Sequence, residues 1–355
     1  MRKTLLTLLQ IAVTGGLLWW VFHDRAIRDA MAVALSTARK EWLIAAMVAY
    51  IVVEFAAAFR WQVLLKVQNI HLPFSRVIAL SIIGMFYNLF LPGGTGGDIV
   101  KTYLLWKETP NNKPGALLAV LFDRMIGLVA LIVLTGIFIG LRYQWLTRET
   151  SARLDNNPLH DPRSYVWFVL AILAASILGL LTTFIITGFN LLHRLPHRFP
   201  GREKLIELSA AYHLYAKHWK ATTVALVASA IAHVGTFATF FCVAHGFRES
   251  AHVALLDFFS IMPIERTISS LPISLAGVGT REFVLQVMLF NLCQVGPATA
   301  RLIGMTSFLV LLICCLPGGV VYFFYKPSGA TAHVKLRDMK QEVATLEHEI
   351  AEKEE

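Results

Sequence analysis

The sequence predicts an all-α polytopic membrane protein with about six full spans and two re-entrant hairpins that are interrupted by glycine. Hydrophobic residues make up 56% of the 355 residues and charged residues only 15%, whereas a soluble domain is usually about 25% charged. Several apolar runs approach the ~20 residues that a helix needs to cross a bilayer. The chain is therefore expected to have little soluble mass.

Six apolar runs predict the full spans, at residues 3–22, 42–65, 115–141, 165–187, 221–245 and 299–325. The first run follows Arg2-Lys3 and is longer than the apolar core of a signal peptide. Because no small-residue cleavage site follows it, we expect this run to be retained as a span.

Two further apolar stretches, residues 74–108 and 252–293, contain glycine-rich breaks. A membrane helix tolerates proline and clustered glycine only where other protein or water satisfies the freed backbone groups. We therefore predict that each stretch is a hairpin that returns to the side from which it started. The two breaks read Leu91-Pro92-Gly93-Gly94-Thr95-Gly96-Gly97-Asp98 and Leu271-Pro272-Ile273-Ser274-Leu275-Ala276-Gly277-Val278-Gly279-Thr280-Arg281-Glu282.

The distribution of basic residues predicts that both termini are cytoplasmic in an inner (cytoplasmic) membrane. In that orientation the inside segments hold 18 Lys and Arg residues and the outside segments 9, as the positive-inside rule requires. Four bases in the outside segment 23–41 oppose this orientation. The halves of the predicted transmembrane domain 1–325, about 1–141 and 165–325, would then be inverted copies, an architecture typical of transporters. The alternative is eight plain spans.

Two polar segments are predicted to lie in the cytoplasm. Residues 188–220 form a basic connector or an interfacial amphipathic helix. The tail 326–355 is helix-prone, and Leu336, Val343 and Ile350 repeat every seven residues within 331–355. A short coiled coil there would support a homo-oligomer or a partner protein, although the repeat is shorter than the ~3–4 heptads that establish one. The alternative is a solvated amphipathic helix.

Ionisable residues within the membrane stretches are the candidate functional groups, because such residues usually face a bundle interior or a water-filled cavity. The adjacent pairs Asp123-Arg124 and Glu265-Arg266 point to different helix faces, so their partners are expected on other helices. Arginine also offers a planar fork that suits phosphate oxygens. The alternative is a set of ion pairs that only holds the fold together.

The glycine breaks predict an anion site. A helix that starts after a break at membrane depth directs its positive N-terminus inward, where it attracts anions. Neither break has the Lys-Ser/Thr ending of a nucleotide-binding loop, and no catalytic residue, metal site or cofactor is predicted. The predicted ligand-binding residues are Arg60, Asn88, Pro92, Gly93, Gly94, Gly96, Gly97, Asp98, Lys101, Asp123, Arg124, Glu265, Arg266, Pro272, Gly277, Gly279, Arg281 and Glu282.

The sequences around the two breaks resemble the signatures of a known protein family. The segment Asn88 to Lys101 resembles the first signature of the lysylphosphatidylglycerol synthase/flippase transmembrane-region family, and Leu271 to Glu282 resembles the second. Phe59 to Leu65 and Asp123 to Leu128 resemble two lesser motifs of the family. Lys101 and Asp123 depart mildly from the family pattern, which often has Arg and Glu at these positions. The resemblance covers about residues 1–325 and implies an inner-membrane protein that moves lipids between leaflets. Aminoacyl transfer is not expected, because only the short tail follows this region.

The expected function is therefore a non-enzymatic flippase or transporter for an anionic phospholipid or an isoprenoid-phosphate-linked lipid. One alternative is a non-transporting scaffold or accessory subunit of lipid or glycolipid synthesis. A less favoured alternative is a membrane enzyme acting on a lipid phosphate. Nucleic-acid binding is not expected, because the basic residues are spread between spans.

Overall fold

The computed structural model describes Asp29, Ala32, Val33 and residues 36–90, 96–148, 158–188, 213–271 and 277–326. Within these residues every regular element is a helix. The predicted first span 3–22, most of the segment 188–220 and the tail 331–355 lie outside the described residues, as do residues 91–95 and 272–276 of the two glycine breaks.

The main helices are, in chain order, α1 (Lys40–Val67), α2 (Phe74–Phe90), α3 (Gly96–Glu108), α4 (Lys113–Leu146), α5 (Pro162–Gly188), α6 (Trp219–Gly246), α7 (Leu255–Ser269), α8 (Thr280–Cys293) and α9 (Pro297–Phe324). Helices α1, α4, α5, α6 and α9 are long and apolar enough to cross a membrane. They confirm five of the six predicted spans. The membrane character of the chain thus follows from both its composition and its described helices.

The ends of these helices follow from local sequence signals. Asn112 caps α4 by accepting a hydrogen bond from the backbone N–H of Gly115, and Pro297 occupies the first turn of α9, where its missing N–H costs nothing. Helix α4 extends beyond the predicted span of about 115–141 and continues to Leu146 through a non-helical residue at Arg142. Leu146 is fully buried, so packing extends the helix beyond the apolar run.

Four shorter helices flank the glycine breaks. Helices α2 and α3 have 17 and 13 residues, and α7 and α8 have 15 and 14. At 1.5 Å per residue each is about 20–25 Å long, which is less than the ~30 Å thickness of a bilayer's hydrocarbon core. The sequence therefore correctly separated two broken stretches from the full spans.

At one end of the bundle, called here the Glu108 end, three helix termini meet on one carboxylate. Arg76 Nη1, near the start of α2, donates to both Glu108 oxygens at 2.5 and 2.6 Å. The Tyr325 hydroxyl, just after α9, donates to Glu108 Oε1 at 2.6 Å. The Glu108 side chain is 1% exposed. The start of α2 and the end of α3 are thereby held together and to the end of α9.

At the opposite end, called here the Glu249 end, lie the two helix ends of the other broken stretch. Glu249 accepts from the backbone N–H of Gly296 at 2.7 Å and from the Thr299 hydroxyl, which anchors the start of α9. His252 Nε2, just before α7, is 2.8 Å from the carbonyl oxygen of Cys293 at the end of α8. The start of α7 and the end of α8 therefore meet at the Glu249 end.

Helices α1 and α6 form the most extensive contact and run antiparallel along their whole length. The backbone N–H of Arg39 donates to the carbonyl oxygen of Gly246 at 2.8 Å, and Arg60 Nη1 donates to Ser229 Oγ at 2.9 Å. Around this pair one apolar core joins α1 to α2, α3 and the start of α4. A larger core joins the start of α1 and the end of α4 to α5–α9.

Helices α2 and α3 approach each other closely at Gly84 and Gly97. A methyl group on Gly97 would overlap the Gly84 carbonyl oxygen and the Asn88 side chain. We expect Gly97→Ala to lower the free energy of unfolding by at least ~1–3 kcal/mol, because overpacking forces the two backbones apart. The melting temperature of the purified protein in mild detergent measures this effect.

The matched control is Gly136→Ala on α4, where an added methyl group meets no atom within 4 Å. This variant is expected to be neutral or slightly stabilising, since alanine is the better helix former by about 0.5–1 kcal/mol. Equal melting temperatures for the two variants would contradict the proposed close packing.

Candidate functional site

Two cavities lie between the helices of the two halves. The first has a volume of about 310 Å³ and the second about 240 Å³. Their linings overlap, so they adjoin, and both belong to the middle of the bundle. The residues common to both linings are Tyr50, Arg124, Arg266, Arg281 and Leu311.

Arg60 lines the second cavity and is fixed by a buried acid. Its Nε and Nη2 donate to the two Asp123 oxygens at 2.8 and 3.0 Å. Lys101 Nζ lies 3.9 Å from Asp123 Oδ2 and 3.6 Å from the centre of the Trp61 ring. The Asp123 side chain is only 9% exposed. One carboxylate thus balances two cations and sets the direction of the Arg60 guanidinium.

Arg124 and Asp98 form a second pair in a more open position. Arg124 donates from Nε and Nη2 to the two Asp98 oxygens at 2.7 and 2.6 Å. The Arg124 side chain is 55% exposed and lines both cavities. Since Asp98 lies in the first turn of α3, this pair connects the start of the half-helix after the first break to the cavities.

Arg281, in the first turn of α8, is the corresponding residue after the second break. Its Nε lies 3.9 Å from Glu265 Oε1, and its side chain is 4% exposed. Its guanidinium is 5.9 Å from the centre of the Phe240 ring and 5.6 Å from that of Phe308. Ser269 donates to the same Glu265 oxygen at 2.6 Å. Two aromatic faces and one carboxylate therefore orient this arginine.

Arg266 differs from the other three arginines. It is half-buried, lies on α7 and lines both cavities. Its guanidinium makes no hydrogen bond or ion pair to any residue within the described ranges. A cation in this state can bind an anionic ligand without first breaking an internal pair.

The backbone next to the glycine breaks is held by side chains. Gly277 and Gly279 have φ of 75° and 87°, a region that favours glycine. Glu282 accepts from the backbone N–H of Gly279 at 2.6 Å, and Asn88 accepts from that of Gly97 at 2.8 Å. Two of the N–H groups expected to bind the anion therefore already have acceptors, so positive charge in the cavities comes mainly from arginine side chains.

Comparison with known proteins assigns the chain to a family. Residues 7–324 match the model of the lysylphosphatidylglycerol synthase TM region. The chain belongs to this family. It is also 30% identical over 135 residues to a UPF0104 membrane protein of Pyrococcus horikoshii, an alignment that covers 38% of this chain and 39% of that relative. The match confirms the family resemblance carried by the two breaks.

In this member of the lysylphosphatidylglycerol synthase TM-region family, the predicted site residues occupy two layers. Arg60, Asn88, Arg124, Arg266 and Arg281 line the cavities. The predicted acids and Lys101 lie behind them as ion-pair partners or, for Glu282, as a helix cap. Gly96 and Gly97 are buried where α3 starts. Pro92, Gly93, Gly94 and Pro272 lie outside the described residues.

Several cavity residues were not among the predicted site residues. Tyr50, Val53, Glu54 and Ala57 line the second cavity together with Arg60. They recur at helical spacing on one face of α1, so the sequence position of Arg60 and a period of 3.6 could have identified them. Within the described part of the chain, no group of three or more His, Cys, Asp or Glu residues could hold a metal ion.

Proposed function

We propose that this protein is a lipid flippase or transporter that binds the headgroup of an anionic phospholipid or isoprenoid-phosphate-linked lipid in the two adjoining cavities. The observation that carries the proposal is Arg266, which faces both cavities and has no ion-pair partner among the described residues. Cationic side chains inside a membrane bundle are costly and mark substrate pathways. Guanidinium groups bind phosphate through paired, charge-assisted hydrogen bonds.

An inverted repeat is part of this proposal. The helix contacts of the first half have counterparts in the second, since α1–α2 matches α6–α7, α3–α4 matches α8–α9, and α2–α9 matches α7–α4. Helices α1 and α6 are antiparallel, and the two broken stretches open at opposite ends of the bundle. These contacts support two re-entrant hairpins that enter the membrane from opposite sides, around a site between the halves.

Each hairpin base is also tied to a long helix of the other half. Glu108 joins α3 to the end of α9 through Tyr325. At the Glu249 end, Arg142 of α4 pairs with Asp257 of α7, and Arg148 donates to the carbonyl oxygen of Leu292 on α8 at 2.6 Å. In an alternating-access cycle these two sets of contacts would open in turn, which gives the headgroup access to one leaflet at a time.

The proposed topology predicts which side of the membrane each break faces. In a background without the native cysteines, we expect Thr95→Cys to react with an impermeant thiol reagent from the cytoplasmic side, together with Asn111→Cys at the hairpin base. We expect Val278→Cys to react from the opposite side, together with Gln294→Cys. Intact cells and inside-out vesicles supply the two orientations. Labelling of both breaks from one side would contradict the inverted repeat.

Reconstituted vesicles test the proposed activity directly. Protein-dependent movement of a labelled anionic lipid between leaflets is the expected result, with no chemical change in the lipid. Chemical conversion of the lipid would instead establish an enzyme, and the absence of both transfer and conversion would contradict the transport proposal.

A further inference from the structure

The two adjoining cavities differ in the polar groups they offer besides arginine. In the first cavity these are side chains such as Asn88, Ser269 and Ser270. The second cavity adds Glu54 and the hydroxyls of Thr236, Thr239 and Ser307. A site for phosphate alone would not require this second set, because an ionised phosphate has no proton to donate to these oxygen acceptors.

The hydroxyl groups of the second cavity are oriented as acceptors. Each donates its proton to a backbone carbonyl four residues earlier, from Thr236 and Thr239 at 2.9 Å and from Ser307 at 2.7 Å. A hydroxyl that donates in this way retains oxygen lone pairs for a further partner. The second cavity can therefore accept hydrogen bonds from a ligand.

Glu54 adds a carboxyl group to this set. It makes no ion pair within 4 Å among the described residues, although the charges of Arg60 and Lys101 act on it from a longer distance. A carboxyl oxygen can accept a hydrogen bond from a ligand hydroxyl whether or not the group is ionised. A ligand hydroxyl bound in the second cavity would donate to a Glu54 oxygen.

From this arrangement we infer that the ligand carries a hydroxylated group, a polyol or a sugar, attached to its phosphate. The inference rests on the proposed function, with the phosphate at Arg266 in the first cavity and the hydroxyls at Glu54 in the second. An amine is disfavoured as the attached group, because the second cavity is also lined by Arg60, Arg124, Arg266 and Arg281, and like charges repel in a low-dielectric interior.

Lipid retention by the purified protein, measured by native mass spectrometry, tests the inference. Phosphatidic acid presents the phosphate alone, phosphatidylinositol adds a polyol, and phosphatidylethanolamine adds an amine. A polyprenyl phosphate and a polyprenyl phosphohexose form the matched isoprenoid pair and distinguish the two lipid sources. We expect the hydroxylated member of at least one pair to be retained about tenfold more strongly than its bare phosphate, as one or two added hydrogen bonds would give.

The variant Glu54→Gln is expected to remove most of this preference while phosphatidic acid is still retained. Glu41→Gln, an exposed position at the start of the same helix, is the matched control and should change nothing. Equal retention of hydroxylated and bare phosphates, or stronger retention of phosphatidylethanolamine, would overturn the inference with the wild-type protein alone, even if the Glu54 variant failed to fold.

Failure of the proposed function gives a different result from failure of this inference. If Arg266→Ala leaves phosphatidic acid retention unchanged, the phosphate site itself is wrong and the inference falls with it. If Arg266→Ala abolishes that retention but no preference for hydroxyls exists, only the second subsite is wrong.

Discussion

Arg266→Ala is expected to abolish lipid transfer between leaflets while leaving folded protein in the membrane. The Arg266 side chain lines both cavities and has no ion pair within 4 Å among the described residues, so its removal breaks no ion pair at that distance. Loss of one charge-assisted contact to a phosphate costs about 1.5–3 kcal/mol, which weakens headgroup binding by about 10–100-fold. Leaflet exchange in reconstituted vesicles and the melting temperature in detergent measure the two effects.

Two further variants serve as comparisons for Arg266→Ala. Arg248→Ala removes an exposed arginine at the Glu249 end, so it should leave both transfer and stability unchanged. Arg281→Ala should reduce transfer and also lower the melting temperature, because Glu265 is fully buried and would lose an ion-pair partner. Full transfer activity in Arg266→Ala would rule out the proposed phosphate site. Loss of folded protein in that variant would show that Arg266 is structural.

Asp123→Ala is expected to destabilise the protein more than any other single change in this charge network. Its carboxylate is 9% exposed and lies next to both Arg60 and Lys101, which are 13% and 11% exposed. Removing one partner of a buried pair leaves a buried charge uncompensated, at a cost of about 3–5 kcal/mol. Here two cations lose their acid, and Arg60 also loses the contacts that orient it toward the cavity.

Asp98→Ala is the matched control. Like Asp123, Asp98 forms a bidentate ion pair with one arginine, in this case Arg124 of α4. That pair is more open, with Arg124 55% exposed and Asp98 20% exposed. Exposed pairs contribute about 0–1 kcal/mol, so a small shift in melting temperature is expected. Lys101→Met should restore part of the stability of Asp123→Ala by removing one unpaired cation. Equal shifts for Asp123→Ala and Asp98→Ala would contradict the assigned burial.

The sequence was sufficient for the helices because their signals are local. Runs of ~20 apolar residues define spans, and proline with clustered glycine defines breaks. Helix α4 extends beyond its predicted span for the complementary reason. Arg142 and the following residues are not uniformly apolar, yet Leu146 packs into the larger core and Arg142 pairs with Asp257. Those partners are distant in sequence, so hydropathy alone could not extend the helix.

The candidate site was predicted in composition but not in arrangement. The cost of charge in a membrane singled out charged residues of α1, α3, α4, α7 and α8. Their pairing could not be read from the sequence, because adjacent residues such as Asp123 and Arg124 face different neighbours. The same limit applies to Glu54, an ionisable residue of a predicted span, whose role depends on which helix face lines the second cavity.

The sequence by itself determined a membrane chain, its described spans, its two broken stretches and its family, because hydrophobic length and glycine-rich motifs are properties of contiguous residues. Only the tertiary structure decided that Asp123 balances the charges of Arg60 and Lys101. It also decided that Glu282 and Asn88 accept hydrogen bonds from backbone N–H groups beside the breaks. Arg266, in contrast, is left facing the cavities. These outcomes depend on distances and burial between helices far apart in the chain. Electrostatic energy varies with both, so the same charged residues can hold the fold or bind a ligand according to how the helices pack.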